Sequence, residues 1–216
     1  MWEAVERPTR EQFYQALAER HGAALQERFA AGRVAVCGLG GLGSNLAIAL
    51  ARAGVGSLHL IDFDRVDLTN LNRQQYFVHQ LGWYKTQALA ETLGQIAPYC
   101  QIITHTVRVT PENLGPLLAE DGIICECFDR PEAKAMLVSG ALERFPDKFL
   151  VAASGMAGLG SANTIRTRRA MGRLYLCGDG VSDVEEGLGL VSARVMVCAA
   201  HQAQMVLRLL AGETEP

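Results

Sequence analysis

The chain has 216 residues, 49% of them hydrophobic, and its 20 lysine and arginine residues against 23 aspartate and glutamate residues give a net charge of −3. A chain of this length and apolar content can form one domain with its own hydrophobic core. The near-even charge balance argues against nucleic acid or an anionic membrane as the main partner. Residues 1–10 lack the apolar run of a secretory signal, and glycines interrupt the apolar stretch Val34–Val55. We therefore predict a cytoplasmic protein without a membrane span.

The six cysteines do not form a metal-binding pattern, because no C-x-x-C pair occurs among them. Neither a zinc site of paired cysteines nor a disulfide framework is expected. Three cysteines lie in apolar runs and are predicted to be small core residues: Cys37, Cys125 and Cys198. His79 and His105 show no metal-ligand spacing, and His201 is interpreted as a helix residue with a local hydrogen bond.

Apolar spacing and turn residues divide the chain into short elements. Residues 1–32 are predicted to form a helical extension, with one or two helices over Arg10–Phe29 that break near Gly22. A helix capped by Thr110 is predicted to run through Leu118. The other elements predicted up to residue 153, in chain order, are the strand Arg33–Cys37, the helix Ser44–Ala53, the strand Ser57–Ile61, the helix Trp83–Ile96, the strands Gln101–His105 and Gly122–Cys127, the helix Pro131–Phe145 and the strand Phe149–Ala153.

This alternation of strands and helices is typical of an α/β fold with a Rossmann-like, mostly parallel sheet and helices on both faces. The pattern changes after Gly155. Strands over Ala162–Arg168 and Arg173–Cys177, joined by a turn at Met171-Gly172, are predicted to add antiparallel strands at the C-terminal end of the sheet. A long apolar helix, Ala193–Leu210, follows. No linker divides residues 33–216, so they are predicted to be a single domain.

A glycine-rich turn follows the first predicted strand and opens the next helix, which is the setting of a nucleotide-binding turn. Gly38 allows the tight turn, Gly40 lets the backbone approach phosphate, and Gly43 lets the helix pack closely on the strand. The free N–H groups at the helix start favour an anion. Asp62 ends the second strand, where a ribose-binding acid is expected. These features fit NAD, FAD, S-adenosylmethionine or ATP.

The loop after the second strand carries groups that suit phosphate. Asn70 can donate and accept hydrogen bonds, Arg73 offers a planar fork of donors, and Lys85 adds a compact cation. Nucleotidyl transfer needs such cations to hold the leaving pyrophosphate, whereas hydride transfer does not. Taken alone, Lys85 is better interpreted as a solvated surface charge.

A further carboxylate, Asp129, lies just past the fourth strand of the predicted sheet. Ligands bind at the carboxyl ends of strands in open parallel sheets, so Asp129 could hold Mg²⁺ against a triphosphate. It could equally cap the following helix, which has Pro131 at an early position. The two roles do not exclude each other.

Together these motifs resemble the ThiF/MoeB/HesA family, the bacterial relatives of ubiquitin-activating enzymes. The similarity covers about three quarters of the chain, roughly from Arg33 to the C-terminus. The segments Ala152–Gly158 and Leu176–Gly180 resemble the shorter ThiF-like branch. The matching motifs are Gly38-Leu-Gly-Gly-Leu-Gly43, Asp62-Phe-Asp64, Asn70-Leu-Asn-Arg-Gln74, Lys85 and Phe128-Asp129.

The resemblance implies a homodimer that uses ATP and Mg²⁺ to adenylate the Gly-Gly carboxyl terminus of a β-grasp sulfur carrier such as ThiS, in thiamine (thiazole) biosynthesis. It implies that Gly41 lies along the ATP, that the Asp62-Phe-Asp64 motif binds the nucleotide with Asp62 on the ribose, and that Asn70, Arg73 and Lys85 bind phosphates. Asp129 would bind Mg²⁺.

The chain departs from the family pattern in three places. The two zinc-binding C-x-x-C pairs are missing, and Cys177 stands where the first pair would begin. The predicted crossover loop Ser182–Ser192 has no cysteine, so no thioester or persulfide step is expected there. Relatives lend an N-terminal arginine across the dimer, for which Arg10 and Arg20 are both candidates.

Three alternatives remain beside this interpretation. An NAD-dependent oxidoreductase would explain the glycine turn and Asp62, but not the cluster from Asn70 to Lys85. A non-catalytic partner of an activating enzyme would not need both Arg73 and Asp129. An activating enzyme could also act on another carboxylate, such as one on a modified tRNA, although the charge balance weighs against nucleic acid. The basic segment Ile165–Arg169 is better interpreted as a solvated strand end than as a docking surface for an acidic carrier.

Overall fold

A computed structural model describes residues 7–183 and 189–216. Within them the strands are β1 (Arg33–Cys37), β2 (Ser57–Ile61), β3 (Gln101–His105), β4 (Ile123–Glu126), β5 (Phe149–Ala153), β6 (Arg166–Met171) and β7 (Leu174–Gly178). The helices are α1 (Arg10–His21), α2 (Ala23–Ala30), α3 (Gly41–Arg52), α4 (Lys85–Ile96), α5 (Leu114–Leu118), α6 (Pro131–Arg144) and α7 (Ser192–Leu210).

The strands form one sheet in the order β3-β2-β1-β4-β5-β7-β6. Every neighbouring pair is parallel except β6 and β7. The Rossmann-like, mostly parallel fold predicted from the sequence is therefore confirmed. At the C-terminal end of the sheet, β7 runs parallel to β5, and the edge strand β6 runs antiparallel to β7.

Several element boundaries differ from the predicted ones for local reasons. The strand expected from Ala162 begins at Arg166, because Ala162–Thr164 forms a short 3₁₀ turn that starts at Ser161. Helix α3 begins at Gly41, since the Gly40 carbonyl already accepts the first helical hydrogen bond. Similarly, α4 begins at Lys85, because the backbone of Trp83 is paired with that of Val66.

The helices cover both faces of the sheet and enclose two cores. The larger core joins one sheet face to α3, α4 and α7, and the smaller joins the other face to α5 and α6. Apolar area removed from water in these layers is the main source of stability. The prediction that Cys37, Cys125 and Cys198 are core residues is confirmed, since each is fully buried.

The N-terminal helices lie outside these layers. Helix α1 has no buried residue, and α2 buries only Gln26 and Phe29. Gln26 ties α2 to the turn between α3 and β2 by donating to the Gly54 carbonyl at 3.4 Å. The helical character of the extension agrees with the sequence, while a domain boundary after residue 32 stays a prediction. None of the helices in the described part of the chain has the length and apolar character needed to cross a membrane.

Candidate nucleotide-binding site

The predicted site residues meet at one edge of the sheet. β2, β1 and β4 are adjacent and parallel, so their carboxyl ends lie side by side. The glycine turn follows β1, the Asp62 loop follows β2, and Asp129 lies beyond β4. Tertiary structure thus brings together three segments that are far apart in the chain, at the place where open α/β sheets bind ligands.

The glycines of the turn meet different surroundings. Gly38 has φ +93°, and a Cβ there would lie 2.7 Å from the Cys127 carbonyl oxygen. A Cβ on Gly43 would lie 1.8 Å from the Gly38 carbonyl oxygen, so helix and turn approach too closely for any side chain. At Gly40 the nearest atom is Gln74 Nε2, at 3.8 Å. Packing therefore requires Gly38 and Gly43, whereas Gly40 faces space into which a ligand can come.

Helix α3 starts without a side-chain cap. Its first N–H groups and the positive end of the helix dipole therefore stay available to an anion. Gly41, the first residue of the helix, is enclosed: a Cβ there would lie 2.9 Å from Val195 Cγ1 and 3.4 Å from Arg73 Cγ. The arginine of the following loop thus lies along the first turn of α3.

Asp62 is 8% exposed and joins the acidic loop to the glycine turn. Its Oδ2 accepts from the Leu39 N–H at 2.6 Å, and its Oδ1 accepts from the Asp64 N–H at 2.7 Å. Tyr76 donates its hydroxyl proton to the Leu39 carbonyl at 2.7 Å. Burial, with the nearby Asp62 carboxylate, raises the pKa of Tyr76, so the phenol keeps this proton. The carboxylate is oriented by backbone donors and retains lone pairs for a ligand hydroxyl.

Lys85 is 6% exposed, so its interpretation as a solvated surface charge is wrong. The first turn of α4 places its Nζ 3.2 Å from Asp64 Oδ2. The Asp64 carboxylate is half exposed. A buried ammonium with one half-exposed partner keeps donor capacity for a further anion.

Arg73 lies in the same loop, just after a 3₁₀ turn over Leu68–Asn70. Its Nη1 donates to the Thr69 carbonyl at 3.1 Å and to Asn72 Oδ1 at 2.8 Å. Its Nε is buried without a hydrogen-bond partner among the described residues. Such an orphaned donor is costly unless a ligand satisfies it.

Asn70 has a structural contact besides its expected ligand role. Its Oδ1 accepts from the Asp67 N–H at 3.1 Å and closes the 3₁₀ turn. Its carbonyl accepts from the N–H groups of Arg73 and Gln74, at 3.1 and 2.9 Å. Asn70 therefore sets the backbone from which the Arg73 side chain starts, while its Nδ2 donors stay available.

Asp129 is exposed and follows β4 directly. The alternative that it caps α6 is wrong, because the N-cap position belongs to Arg130 and no side chain caps that helix. Among residues 7–183 and 189–216, no group of three or more His, Cys, Asp and Glu side chains is placed to hold a metal ion. A single exposed carboxylate fits Mg²⁺, which binds through one or two carboxylates together with the phosphates of a nucleotide.

A cleft of about 480 Å³ opens at the same sheet edge, beyond β5 and β7. Sequence reasoning missed it. Its only signals are an arginine within the apolar run of α7 and an aspartate between two glycines. The lining residues are mostly small, and include Ala157–Ser161, Thr164, Asp179, Val181, Ser182 and Arg194.

Arg194 holds the walls of this cleft together. Its Nη1 donates to the Gly160 and Ser161 carbonyls at 2.7 and 2.6 Å, and its Nη2 contacts Asp179 Oδ2 and Thr164 Oγ1. Although desolvation opposes it, hydrogen bonds from Ser182, Val181 and Arg194 lower the pKa of Asp179 to about 2. This ion pair is 6–7% exposed on both sides and stays charged at neutral pH.

Other predicted features lie away from these two places. Cys177 is buried, and desolvation raises its pKa to about 11, so it is an unreactive thiol. His201 bonds to Thr167 on β6 at 3.0 Å, not locally within its helix. Arg10 and Arg20 are exposed on α1, and the arginines of the basic segment are exposed on β6. Part of the predicted crossover loop, residues 184–188, lies outside the described residues.

Known proteins match this chain over most of its length. The ThiF family model matches residues 14–216. The molybdopterin-synthase adenylyltransferase of Escherichia coli is 30% identical over 88% of this chain and 78% of its own. The adenylyltransferase and sulfurtransferase UBA4 of Candida glabrata is 30% identical over 87% of this chain and 44% of its own.

The E. coli tRNA N6-threonylcarbamoyladenosine dehydratase TcdA, solved in complex with ATP, has the same fold, with a TM-score of 0.84, 23% identity and coverage of 97% of this chain and 98% of that one. In sequence, the E. coli tRNA threonylcarbamoyladenosine dehydratase is 35% identical over 56% of this chain and 46% of its own. The chain thus spans less than half the length of some relatives and about four fifths of another. The family model and the molybdopterin-synthase adenylyltransferase, each matched over most of the chain, show that this protein belongs to the ThiF family.

Proposed function

We propose that this protein is an ATP-dependent adenylyltransferase that activates the C-terminal carboxylate of a small carrier protein. The observation that carries the proposal is the convergence of an uncapped helix start, a buried lysine and an arginine with an orphaned donor at one sheet edge. Hydride transfer has no use for these cations, and membership of the ThiF family favours nucleotidyl transfer over an NAD-dependent reaction.

ATP is the nucleotide that best fits this arrangement. Asp62 offers a positioned carboxylate for the ribose, and Asn70, Arg73 and Lys85 offer donors for phosphate oxygens. Gly40 leaves the backbone open to the phosphate chain, Gly38, Gly41 and Gly43 let the turn and the start of α3 pack closely beside it, and Asp64 orients Lys85. The structural neighbour TcdA, which was solved with ATP and also with AMP, supports this assignment.

The chemistry requires no side-chain nucleophile. The substrate carboxylate oxygen attacks the α-phosphorus of ATP, the bond between the α-phosphorus and the bridging oxygen breaks, and pyrophosphate leaves from an acyl-adenylate. Arg73 and Lys85 would hold the charge that develops on the pyrophosphate, which is the largest catalytic contribution in reactions of this type. Asp129 would hold Mg²⁺, which when bound supplies further charge neutralisation at the phosphates.

The cleft beyond β5 and β7 offers the acyl substrate a path to the nucleotide. Arg194 lines the cleft, and the next residue, Val195, packs against Gly41 at the start of α3. The walls at Gly158 and Gly160 carry no side chains, which suits a narrow, extended peptide such as a Gly-Gly terminus. The proposed substrate is a ThiS-like β-grasp carrier, which would place the protein in thiamine biosynthesis.

We further propose that the protein is a homodimer. The exposed helix α1 carries Arg10 and Arg20, either of which could reach the site of a partner subunit. A non-catalytic role is disfavoured, because the chain retains both Arg73 and Asp129.

A second candidate substrate is the carboxylate of a threonylcarbamoyl group on tRNA. The similarity to the tRNA threonylcarbamoyladenosine dehydratase of E. coli favours it. The net charge of −3 weighs against it, since tRNA binding draws on basic surface.

Exchange of radiolabelled pyrophosphate into ATP tests the proposal and separates the two substrates. We expect exchange that depends on a ThiS-like carrier ending in Gly-Gly, and none with the same carrier lacking its last glycine. Exchange that depends on threonylcarbamoyl-modified tRNA would select the second candidate. Absence of exchange with either substrate, under conditions where ATP binds, would refute both.

A further inference from the structure

A buried ion pair lies at the end of strand β4, just before Asp129. Glu126, the last residue of β4, is 0% exposed. Lys134 on α6 places its Nζ 2.9 Å from Glu126 Oε1 and 2.8 Å from Glu126 Oε2, and the lysine side chain is 24% exposed. The roles assigned so far to the nucleotide-binding site do not use this pair, although only Cys127 and Phe128 separate Glu126 from Asp129.

The pair holds both backbone polar groups of Phe128, the residue before Asp129. The Phe128 N–H donates to Glu126 Oε1 at 2.7 Å, and Lys134 Nζ donates to the Phe128 carbonyl at 3.1 Å. The register between β4 and β1 ends at Glu126, so Phe128 lies beyond the pairing that fixes the strand. Glu126 and Lys134 therefore supply, at Phe128, the hydrogen bonds that strand pairing supplies within the sheet.

The same segment is held from the opposite face of the sheet by Gln202 on α7, which is fully buried. Its Nε2 donates to the Glu126 carbonyl at 3.1 Å and to the Val151 carbonyl at 3.3 Å. The backbone that leads to Asp129 is thus fixed on both faces, whereas the Asp129 side chain is exposed.

This fixed segment packs directly against the glycine turn. The Cys127 N–H donates to the Cys37 carbonyl at 2.9 Å. A Cβ on Gly38 would lie 2.7 Å from the Cys127 carbonyl oxygen and 3.0 Å from Phe128 Cδ1. The start of the Asp129 backbone is therefore fixed relative to the turn that is proposed to bind the phosphates.

Stability alone does not account for a charged pair at this place. A buried ion pair contributes little that apolar side chains of similar volume could not also provide. The preceding residues Ile123 and Ile124 are apolar and buried. A further apolar residue at the end of β4 could pack in the same way, but it could not bond to the N–H and the carbonyl of Phe128. What the pair adds is a defined geometry at the residue before Asp129.

We propose that Glu126 and Lys134 are positioning residues, which hold the backbone before Asp129 so that its carboxylate can bind the Mg²⁺ of the nucleotide. This inference rests on the proposed function, because it takes Asp129 as the metal-binding carboxylate. Both residues act through Asp129. Groups that orient a metal ligand commonly contribute about 10- to 100-fold to metal affinity, so loss of the pair weakens the Mg²⁺-dependent part of ATP binding.

Calorimetric titration of the full chain with ATP, in Mg²⁺ and separately in EDTA, tests this assignment. Lys134→Met keeps the apolar stem and removes the ammonium. We expect it to raise the Kd for ATP in Mg²⁺ by about tenfold and to leave the Kd in EDTA unchanged. Lys134→Arg keeps the charge and the donors, and is expected to bind ATP like the wild type. When Lys134→Met is combined with Asp129→Asn, we expect no loss beyond that of Asp129→Asn alone, because the lysine acts through the aspartate.

Lys148→Met is the matched control. Lys148 Nζ also donates to backbone carbonyls, those of Leu118 and Ala119 at 2.6 Å, but it precedes β5 at the opposite edge of the sheet. This variant is expected to bind ATP like the wild type in both buffers.

A second variant guards against misfolding. Lys134→Met leaves the Glu126 carboxylate buried without its partner, whereas Glu126→Gln combined with Lys134→Met removes both charges and leaves neither uncompensated. The double variant also lacks the hydrogen bond from Lys134 to the Phe128 carbonyl. It is expected to show the same loss of ATP affinity in Mg²⁺ and none in EDTA.

The outcomes separate this inference from the proposed function. Wild-type ATP affinity in Mg²⁺, in the folded Lys134→Met or double variant, overturns the positioning role and leaves adenylation untouched. An equal loss in Mg²⁺ and in EDTA also overturns it, as does a further loss when Lys134→Met is added to Asp129→Asn. If Asp129→Asn binds ATP like the wild type in Mg²⁺, the metal-binding role of Asp129 is refuted together with this inference. A wild-type protein that binds no ATP refutes the proposed function itself.

Discussion

Two charged regions at the same sheet edge differ in how their charged side chains are paired. Around the glycine turn, Arg73 has a buried Nε that no described residue pairs, and the carboxylate of Asp129 is exposed. Beyond β5 and β7, both terminal nitrogens of Arg194 are occupied by carbonyls, a hydroxyl and the carboxylate of Asp179. Among the described residues, the Nε atoms of Arg73 and Arg194 are both buried without a hydrogen-bond partner, so the two regions differ in the rest of their charged groups: Arg194 is paired with the buried carboxylate of Asp179, whereas the carboxylate of Asp129 is exposed.

This difference in pairing distinguishes charged groups that can bind a ligand from charged groups that hold the protein structure together. Where a buried charge is paired within the protein, removing either partner leaves the other charge uncompensated and destabilises the fold. A charge with unused donors costs stability until a ligand arrives, and that cost is recovered on binding. We therefore expect substitutions near the glycine turn to change catalysis and substitutions around Arg194 to change folding.

The largest effect is expected from Arg73→Ala. Loss of the donors that face the pyrophosphate should lower carrier-dependent exchange by roughly 100-fold or more, as for other donors that act on developing charge. The unfolding midpoint should change little, because the Arg73 hydrogen bonds within the protein are solvent-exposed. Arg52→Ala, at the far end of α3, is the control and should behave as wild type. If Arg73→Ala exchanges pyrophosphate normally, the catalytic half of the comparison is wrong.

Asp179→Asn should have the opposite effect, lowering stability without changing nucleotide binding. Loss of the ion pair with Arg194 is expected to lower the free energy of unfolding at pH 7 by about 2 kcal/mol, measured in urea, while the Kd for ATP stays unchanged. The carboxylate of Asp147 is exposed, so Asp147→Asn is the matched control and should leave stability unchanged.

Measurements at acid pH provide a further test of the prediction for Asp179→Asn. A carboxyl group with a lowered pKa stabilises the fold above its unfolded pKa and loses that contribution as pH falls through its folded pKa. The stability difference between wild type and Asp179→Asn should therefore shrink between about pH 4 and pH 2. A difference that stays constant over this range would contradict the role of the charged pair.

The smallest effect concerns His105, at the end of β3. Its Nδ1 is 2.7 Å from His59 Nε2, and His59 Nδ1 is 2.8 Å from Asp121, which also pairs with Arg33. Desolvation and the neighbouring His59 lower the pKa of His105, while Asp121 acts to raise it. Stability from this group is thus present above the ordinary histidine pKa and decreases as pH falls below about 6.5.

His105→Gln should reduce this dependence. We expect the loss of unfolding free energy between pH 7.5 and pH 5.5 to be smaller in the variant, by less than about 1 kcal/mol, since the side chain is exposed. An identical pH dependence in both proteins would show that the histidine pair does not couple to folding. The histidine pair at the β3 edge of the sheet should therefore respond to acid before the Asp179 pair does.

Prediction from sequence succeeded where the cause is local. The predicted boundaries of β1, β2, β3 and β5 agree with the observed strands because short apolar runs end at glycines and polar loops. The glycine turn was predictable for the same reason, since glycine spacing fixes what the backbone can do. The start of β6 was not predictable, because the residue types over Ala162–Met171 do not distinguish the 3₁₀ turn at its beginning from the strand that follows.

The candidate site was predictable in its members but not in its contacts. Lys85 could not be recognised as buried, since its partner Asp64 is brought close only by the folded loop. The sequence could not exclude that Asp129 caps α6, whereas the structure shows that Arg130 occupies the N-cap position. The ion pair between Arg194 and Asp179 joins α7 to the end of β7, and no local sequence pattern predicts it.

The sequence by itself determined the fold class, the glycine turn and the resemblance to the ThiF family, because these follow from local periodicity and fixed spacing of residue types. Only the tertiary structure decided which charged groups are paired within the protein and which keep unused hydrogen-bonding capacity. The physical reason is that hydrogen-bond capacity is used by partners distant in the chain, as with Arg194 and Asp179, so the unused remainder at Arg73 appears only once every element is in place.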